Sequence, residues 1–212
     1  MSAKLPDLDE AFEHLCGCEP TIGALVRAQG PLDHEARRRG RPDDAYGALL
    51  RAIVGQQLSV KAARTIYDRL RGLYDDGTPS PEQLLATDPE RLRGVGLSRP
   101  KVGYLRDLAR HVVEGELDLD ALPELPDDEV SEMLTAVKGL GQWTADMFLM
   151  FHLRRPDVLP VGDLGIRRAA QIAYGLDGLP DAAALTALAE PWRPHRTLAC
   201  LYLWASLEAS PA

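Results

Sequence analysis

Long hydrophobic runs are missing from this 212-residue sequence, and cysteine is scarce. No apolar stretch approaches the roughly 20 residues that a helix needs to span a bilayer, so we expect no membrane partner. The N-terminal segment MSAKLPDLDEAFEHL turns acidic where a secretory signal would turn apolar, so we expect no export. The three cysteines, Cys16, Cys18 and Cys200, are too few for a disulfide framework, an iron–sulfur cluster or a four-thiolate zinc site.

Positive charge is also in deficit, since the formal net charge is −8 at pH 7. Such a balance argues against a generic nucleic-acid binder. The charges are unevenly distributed, however, because residues 91–110 carry six basic side chains against one acidic one. On charge alone, a solvated surface is the favoured explanation of this run.

Strand patterns are absent as well, and the dominant pattern is helical. Apolar residues recur every three or four positions, which predicts amphipathic helices. The clearest segments are DDAYGALLRAIVGQQ, SVKAARTIYDRLRGLY, SRPKVGYLRDLARHVVEG, DEVSEMLTAV, WTADMFLMFHL, DLGIRRAAQIAYGL and PWRPHRTLACLYLWASLEA. Ser59, Ser98, Asp127 and Asp163 can each cap a helix N-terminus. Short connections rich in Gly, Pro and Asp predict a single all-α domain over residues 1–212.

The stretch VKGLGQWTADM joins two of these helices through two glycines one residue apart. Gly139 and Gly141 supply the backbone freedom of a tight turn, and they let an outside group approach the main chain closely. Leu140, between them, is expected to point inward. The turn also presents a helix N-terminus, where unpaired N–H groups attract anions such as phosphate. On this pattern alone, a structural turn and a phosphate clamp are about equally supported.

Several segments together resemble one family. LTAVKGLGQWTADMF resembles the helix–hairpin–helix of the DNA glycosylase (HhH-GPD) superfamily, in which a Gly/Pro-rich loop ending in aspartate follows the hairpin. Here RRPDVLPVGDLGIRRA follows and places Asp163 at that position. AIVGQQLSVKAA, GLSRPKVGYLRDLA and WRPHRTLACLYLW are similar to the 3-methyladenine DNA glycosylase II (AlkA/MAG-like) branch.

This resemblance implies a monofunctional DNA glycosylase that excises alkylated purines, such as 3-methyladenine and 7-methylguanine, from duplex DNA. Asp163 is the implied catalytic carboxylate, although in isolation it is most simply a helix cap. Trp143, Trp204 and Met147 are the implied base pocket, with methionine where some relatives carry tyrosine. By spacing alone, Trp143 is more simply a core aromatic, and for Trp204 a core aromatic on the last helix is about as well supported as a pocket role. Bifunctional relatives carry a lysine nucleophile at the position of Trp143, so no strand cleavage is expected.

The resemblance also assigns the DNA contacts. Gly139, Gly141 and Thr144 would anchor the hairpin on phosphate. Gln57 would fill the gap left by the flipped base, with Leu58 as the alternative and Ser59 near the minor groove; a plain polar helix end stays open for this segment. Lys101 and Arg99 are candidates for phosphate contacts. No organic cofactor or catalytic metal is implied, and a monovalent cation held by the hairpin carbonyls is compatible with the resemblance.

Two helical lobes with the active-site cleft between them are the expected architecture, one over about 43–154 and the other over about 1–42 plus 155–212. The N-terminal β domain of some relatives is expected to be absent, and the protein is expected to be a monomer in the cytoplasm, at the nucleoid. Three alternatives stay open: a glycosylase for hypoxanthine, uracil or an oxidised base; a non-catalytic module that binds damaged DNA; and a helical protein–protein adaptor.

Overall fold

A computed structural model describes residues 8–33, 40–75 and 77–209 of the chain. The described residues form α-helices and two short 3-10 turns, and no strand occurs among them. The all-α prediction is therefore confirmed. The helices are α1 (Leu8–Cys18), α2 (Pro20–Gln29), α3 (Ala45–Gly55), α4 (Val60–Arg71), α5 (Pro81–Ala86), α6 (Pro89–Gly94), α7 (Arg99–Val113), α8 (Asp127–Ala136), α9 (Gln142–Phe151), α10 (Leu164–Tyr174), α11 (Ala182–Ala189) and α12 (Arg196–Ala209).

Two compact units divide the chain. One consists of Gly40–Phe148, and the other combines Met1–Arg39 with Leu149–Ala212. In the first unit, α7 packs against α3, α5 and α6, and α3 packs against α4. Its core is mostly leucine and valine, with Leu50, Ile53 and Leu105 fully buried.

The second unit is built around α2, α10 and α12, which contact one another in pairs, with α1 packed on α2. Leu15, Ile22 and Trp192 are fully buried there. Among the described residues, no helix is both long and apolar enough to cross a membrane.

The helix ends follow local chemistry, with two exceptions to the predictions. Ser59, Ser98 and Asp163 cap α4, α7 and α10 as predicted, each accepting a backbone N–H with its side chain. The prediction for Asp127 is wrong, because Pro126 occupies the cap position and Asp127 is the first helical residue. A carboxylate is still favourable there, since it faces the positive end of the helix dipole.

The last predicted helix is divided in two. A 3-10 turn covers Glu190–Trp192, and α12 begins only at Arg196. Pro194 lies between them and has no backbone N–H, so a continuous helix would lack a hydrogen bond at that point.

Candidate active site

Asp163 lies at the N-terminal end of α10, immediately after the loop that follows α9. Its Oδ1 accepts the backbone N–H of Ile166 at 2.8 Å, which makes it the cap of the helix. The same oxygen accepts the indole N–H of Trp204 at 3.0 Å. The backbone N–H of Asp163 donates to the Pro160 carbonyl at 2.9 Å. A capping role and a chemical role are therefore compatible, because the cap fixes the direction of the carboxylate.

Trp204, on α12, is held on two sides. Its indole N–H is engaged by Asp163, and its ring stacks on Phe151 with centroids 6.1 Å apart and planes 22° apart. Offset stacking of this kind restricts the ring to one orientation. The Trp204 indole and the Ile166 N–H thus both hold Asp163 Oδ1, while a contact between Trp204 and a base stays a prediction.

Gly165 makes room for this arrangement. A Cβ atom at that position would lie 3.0 Å from Asp163 Oδ1 and 3.1 Å from Trp204 Nε1. Gly165 has no positive φ, so the glycine is not required by the backbone conformation of α10. Without a Cβ there, the Trp204 indole has room to reach the Asp163 carboxylate.

The two glycines of the hairpin differ in their structural roles. Gly139 has a φ of 86°, and a Cβ there would lie 2.3 Å from the ring of Tyr104, so the fold itself requires glycine. A Cβ at Gly141 would meet nothing within 4 Å, and its φ is ordinary. Gly141 is exposed, which leaves its backbone open to an approaching group. Leu140 is buried between them, as predicted.

Thr144 lies in the first turn of α9. Its residue is only 6% exposed, and its backbone N–H donates to the Gly141 carbonyl at 2.9 Å. Thr144 is therefore mostly enclosed by the protein, and its contact with a phosphate stays a prediction.

Trp143 is half exposed, at 50%, so the interpretation of this residue as a core aromatic is wrong. It stands in the first turn of α9, and Met147, one turn further on, is partly buried. Residues four apart lie on the same face of a helix. Phe148, one position away, is buried, as predicted.

The loop between α3 and α4, residues 56–59, carries the residues predicted to fill the gap left by a flipped base, and it is called the flipping loop after that prediction. Gln57 has a φ of 57°, a left-handed conformation that costs a non-glycine residue roughly 1–2 kcal/mol. Gln57 is exposed and Leu58 is 39% exposed, so both predicted wedge residues are at the surface. Ser59 Oγ accepts the backbone N–H of Ala62 at 3.3 Å and caps α4.

Lys101, one of the candidates for a phosphate contact, lies against the end of α3. Its Nζ donates to the carbonyl of Val54 at 2.8 Å and to that of Gln56 at 2.6 Å. The desolvation that accompanies this placement lowers the pKa of Lys101. Its ammonium group is thus engaged by the end of α3, and exposed Arg99 is the nearby cation that faces solvent.

No group of three or more His, Cys, Asp or Glu side chains suited to a metal ion occurs in the described part of the chain.

The comparisons with known proteins agree with the geometry. The model of the HhH-GPD superfamily of base excision DNA repair proteins matches residues 50–194, which include the flipping loop, the hairpin and Asp163. The chain belongs to the HhH-GPD superfamily.

Several relatives of this HhH-GPD chain cover nearly all of it. DNA-3-methyladenine glycosylase 1 of Schizosaccharomyces pombe is 34% identical over 93% of this chain and 86% of its own length. The structure of the S. pombe 3-methyladenine DNA glycosylase Mag1 in complex with abasic DNA matches with a TM-score of 0.83 and 32% identity, over 95% of this chain and 98% of that one. A Bacillus halodurans DNA-3-methyladenine glycosidase gives a TM-score of 0.82 at 36% identity, over 99% of this chain and 92% of that one. The predicted family and branch are confirmed.

Three residues that contact predicted site residues are not among those predicted from the sequence. The sequence gives a weak indication that Gly165 is special, because glycine is an unfavourable residue in a helix. The sequence gives no indication of a role for Phe151, since a phenylalanine at a helix end is ordinary. Gln56 is the neighbour of the predicted wedge residue Gln57, and its Nε2 donates to the Gly139 carbonyl at 2.6 Å.

Proposed function

We propose that the protein is a monofunctional DNA glycosylase that removes alkylated purines from duplex DNA in base excision repair. The observation that carries the proposal is the carboxylate of Asp163. It is held by a helix N–H and an indole N–H in a chain of the HhH-GPD superfamily. The names of the relatives, as 3-methyladenine DNA glycosylases, support the substrate class.

Asp163 would act on the sugar and not on the base. Cleavage of an N-glycosidic bond develops positive charge on the deoxyribose, as in other glycoside hydrolyses with oxocarbenium-like transition states. A fixed carboxylate stabilises that charge and positions or deprotonates the attacking water. The two donors to Oδ1 hold it still, so little reorganisation is needed when the bond breaks.

Trp143 would contact the extruded base. Purines alkylated at N3 or N7 carry positive charge, and an indole face attracts a cation by about 0.5–2 kcal/mol. The half-exposed ring of Trp143 offers such a face. A charged purine is already a good leaving group, so no strong general acid is needed. Since tryptophan stands where bifunctional relatives have lysine, no amine attacks the sugar, and the product is an abasic site.

Duplex DNA is the proposed partner. The open backbone of Gly141 supports a phosphate contact at the hairpin. The exposed Gln57 and Leu58 support insertion into the duplex, and flipping a base costs a few kcal/mol that the insertion offsets. A monovalent cation held by the hairpin carbonyls stays a prediction. The monomeric state, the single domain with its lobe boundaries, and the cytoplasmic, nucleoid-associated location stay predictions.

Base-release spectra from duplexes carrying different lesions test the substrate class. The proposal expects release of 3-methyladenine and 7-methylguanine, with strand breaks only after alkali treatment. Release of hypoxanthine or uracil but no methylated purine would favour a glycosylase for deaminated bases. Persistent binding to abasic or bulged DNA without any base release would favour a non-catalytic module, and no salt-dependent DNA binding at all would favour an adaptor.

A further inference from the structure

We propose that Lys101 and Gln56 are positioning residues that hold the flipping loop in register with the hairpin, and that Lys101 is not a phosphate contact. The inference rests on the proposed function, because it assigns both residues to the step in which a base leaves the duplex. Its evidence is a set of contacts within the unit Gly40–Phe148.

The first contact joins α7 to the end of α3. The carbonyls of Val54 and Gln56 both accept from the Lys101 ammonium, and they flank the last residue of α3. Carbonyls at a helix C-terminus have no partner within the helix, and they attract a cation. One ammonium therefore satisfies two carbonyls on the chain that leads directly into Gln57.

The next two positions on the same face of α7 hold the hairpin. Tyr104 packs its ring against the Cα of Gly139, and Asp107 Oδ2 accepts the backbone N–H of Lys138 at 2.8 Å. Lys101, Tyr104 and Asp107 are spaced three residues apart, so they lie along one side of the helix. One helix thus sets the positions of both the flipping loop and the hairpin.

Gln56 connects the flipping loop directly to the hairpin. Its side-chain Nε2 donates to the Gly139 carbonyl at 2.6 Å, while its own carbonyl accepts from Lys101. Gln57, which has the strained left-handed conformation, therefore directly follows a residue whose backbone and side chain are both fixed by hydrogen bonds. A loop held this way presents its wedge at a fixed distance from the hairpin that is proposed to grip the phosphate.

The same contacts argue against a phosphate role for Lys101. An ammonium has three donors, and two of them already serve backbone carbonyls. Arg99, in the same turn, is exposed and is the better placed cation for a phosphate.

The test compares Lys101→Met with the matched control Arg99→Met. Release of 7-methylguanine is measured under single turnover from two duplexes, one with the lesion paired to cytosine and one with the lesion in a one-nucleotide bulge. The bulged base needs little help to leave the stack. DNA affinity is measured in parallel at several salt concentrations.

For Lys101→Met we expect release from the paired duplex to fall at least about tenfold, since a displacement near 1 Å can cost up to about 100-fold. Release from the bulge should stay within about twofold of wild type, and the salt dependence of binding should not change. Arg99→Met should instead weaken binding to both duplexes equally and reduce the salt slope by about 0.9.

An equal loss on both duplexes, together with a reduced salt slope, for Lys101→Met would overturn the inference. The ratio of paired to bulged release is the deciding quantity, because a general loss of folded protein lowers both rates alike. If Lys101→Met does not fold, Gln56→Leu is tested instead, because it removes the hydrogen bond between Gln56 and the Gly139 carbonyl. This variant must show the same ratio of paired to bulged release. A wild-type protein that releases no base from either duplex would refute the proposed function itself.

Discussion

Replacing Gly165 by alanine should lower the rate of base release while leaving the fold intact. The new Cβ would lie 3.0 Å from Asp163 Oδ1, 3.1 Å from Trp204 Nε1 and 3.2 Å from Trp204 Cδ1. Contacts this short move the neighbouring groups by a few tenths of an ångström, and the 3.0 Å bond between the indole and the carboxylate is the one that they lengthen. Alanine is also the better helix former, by about 0.8–1 kcal/mol in a helix interior, so crowding and propensity offset each other in stability.

The rate effect follows from the hydrogen bond that is weakened. A bond to a charged group contributes about 1.5–3 kcal/mol, and each ~1.4 kcal/mol in the barrier changes a rate tenfold. We therefore expect single-turnover release of 7-methylguanine to fall roughly 10- to 100-fold. The thermal midpoint, followed by circular dichroism, should stay close to that of wild type.

Gly103→Ala is the matched control for Gly165→Ala. Gly103 lies within α7, and a Cβ there would meet nothing within 4 Å. This variant should match or exceed the wild-type midpoint and retain the wild-type rate. A Gly165→Ala protein with a wild-type rate would refute the reasoning, because the contact between Trp204 and Asp163 would then have no part in the chemistry.

Three further predictions concern the hairpin, the base contact and pH. Gly139→Ala should lower the thermal midpoint, because the new Cβ would clash with the ring of Tyr104. Gly141→Ala should keep the wild-type midpoint and weaken DNA affinity. Equal midpoints for the two variants would contradict this prediction. Trp143→Ala should slow release of cationic 7-methylguanine by roughly 2- to 30-fold and release of neutral hypoxanthine less, and equal losses would contradict the cation–π contact. Burial lowers the pKa of His195, so stability should fall as pH drops below about 6.5, and His195→Gln should reduce that loss in pH-dependent melting.

Much of the fold could be predicted because its determinants are local. The apolar spacing of α3, α4 and α7, and the caps Ser59 and Ser98, lie within a few residues of the structure that they specify. Competition between local signals explains the errors. Asp127 has the chemistry of a cap, but Pro126 takes that position.

The site was less predictable because its contacts are distant in sequence. Lys101 lies 47 residues from Val54, and Gln56 lies 83 residues from Gly139. No spacing rule connects such pairs, so a lysine that serves backbone carbonyls looks the same in sequence as one that serves phosphate. Asp163 could be predicted as a helix cap because capping is a local interaction within one short segment, whereas its catalytic role follows from the resemblance and stays a prediction.

The most direct test of the central claim is base release by Asp163→Asn. Asparagine keeps an oxygen that can accept from Ile166 and Trp204, so the variant should retain both the cap and the fold while it loses the charge. With methylated duplex DNA, we predict that release falls by roughly 100-fold or more, since fixed groups that stabilise transition-state charge have effects of that size, while binding to abasic DNA persists. If Asp163→Asn releases 7-methylguanine at the wild-type rate, the carboxylate is only a helix cap and the proposed chemistry is wrong.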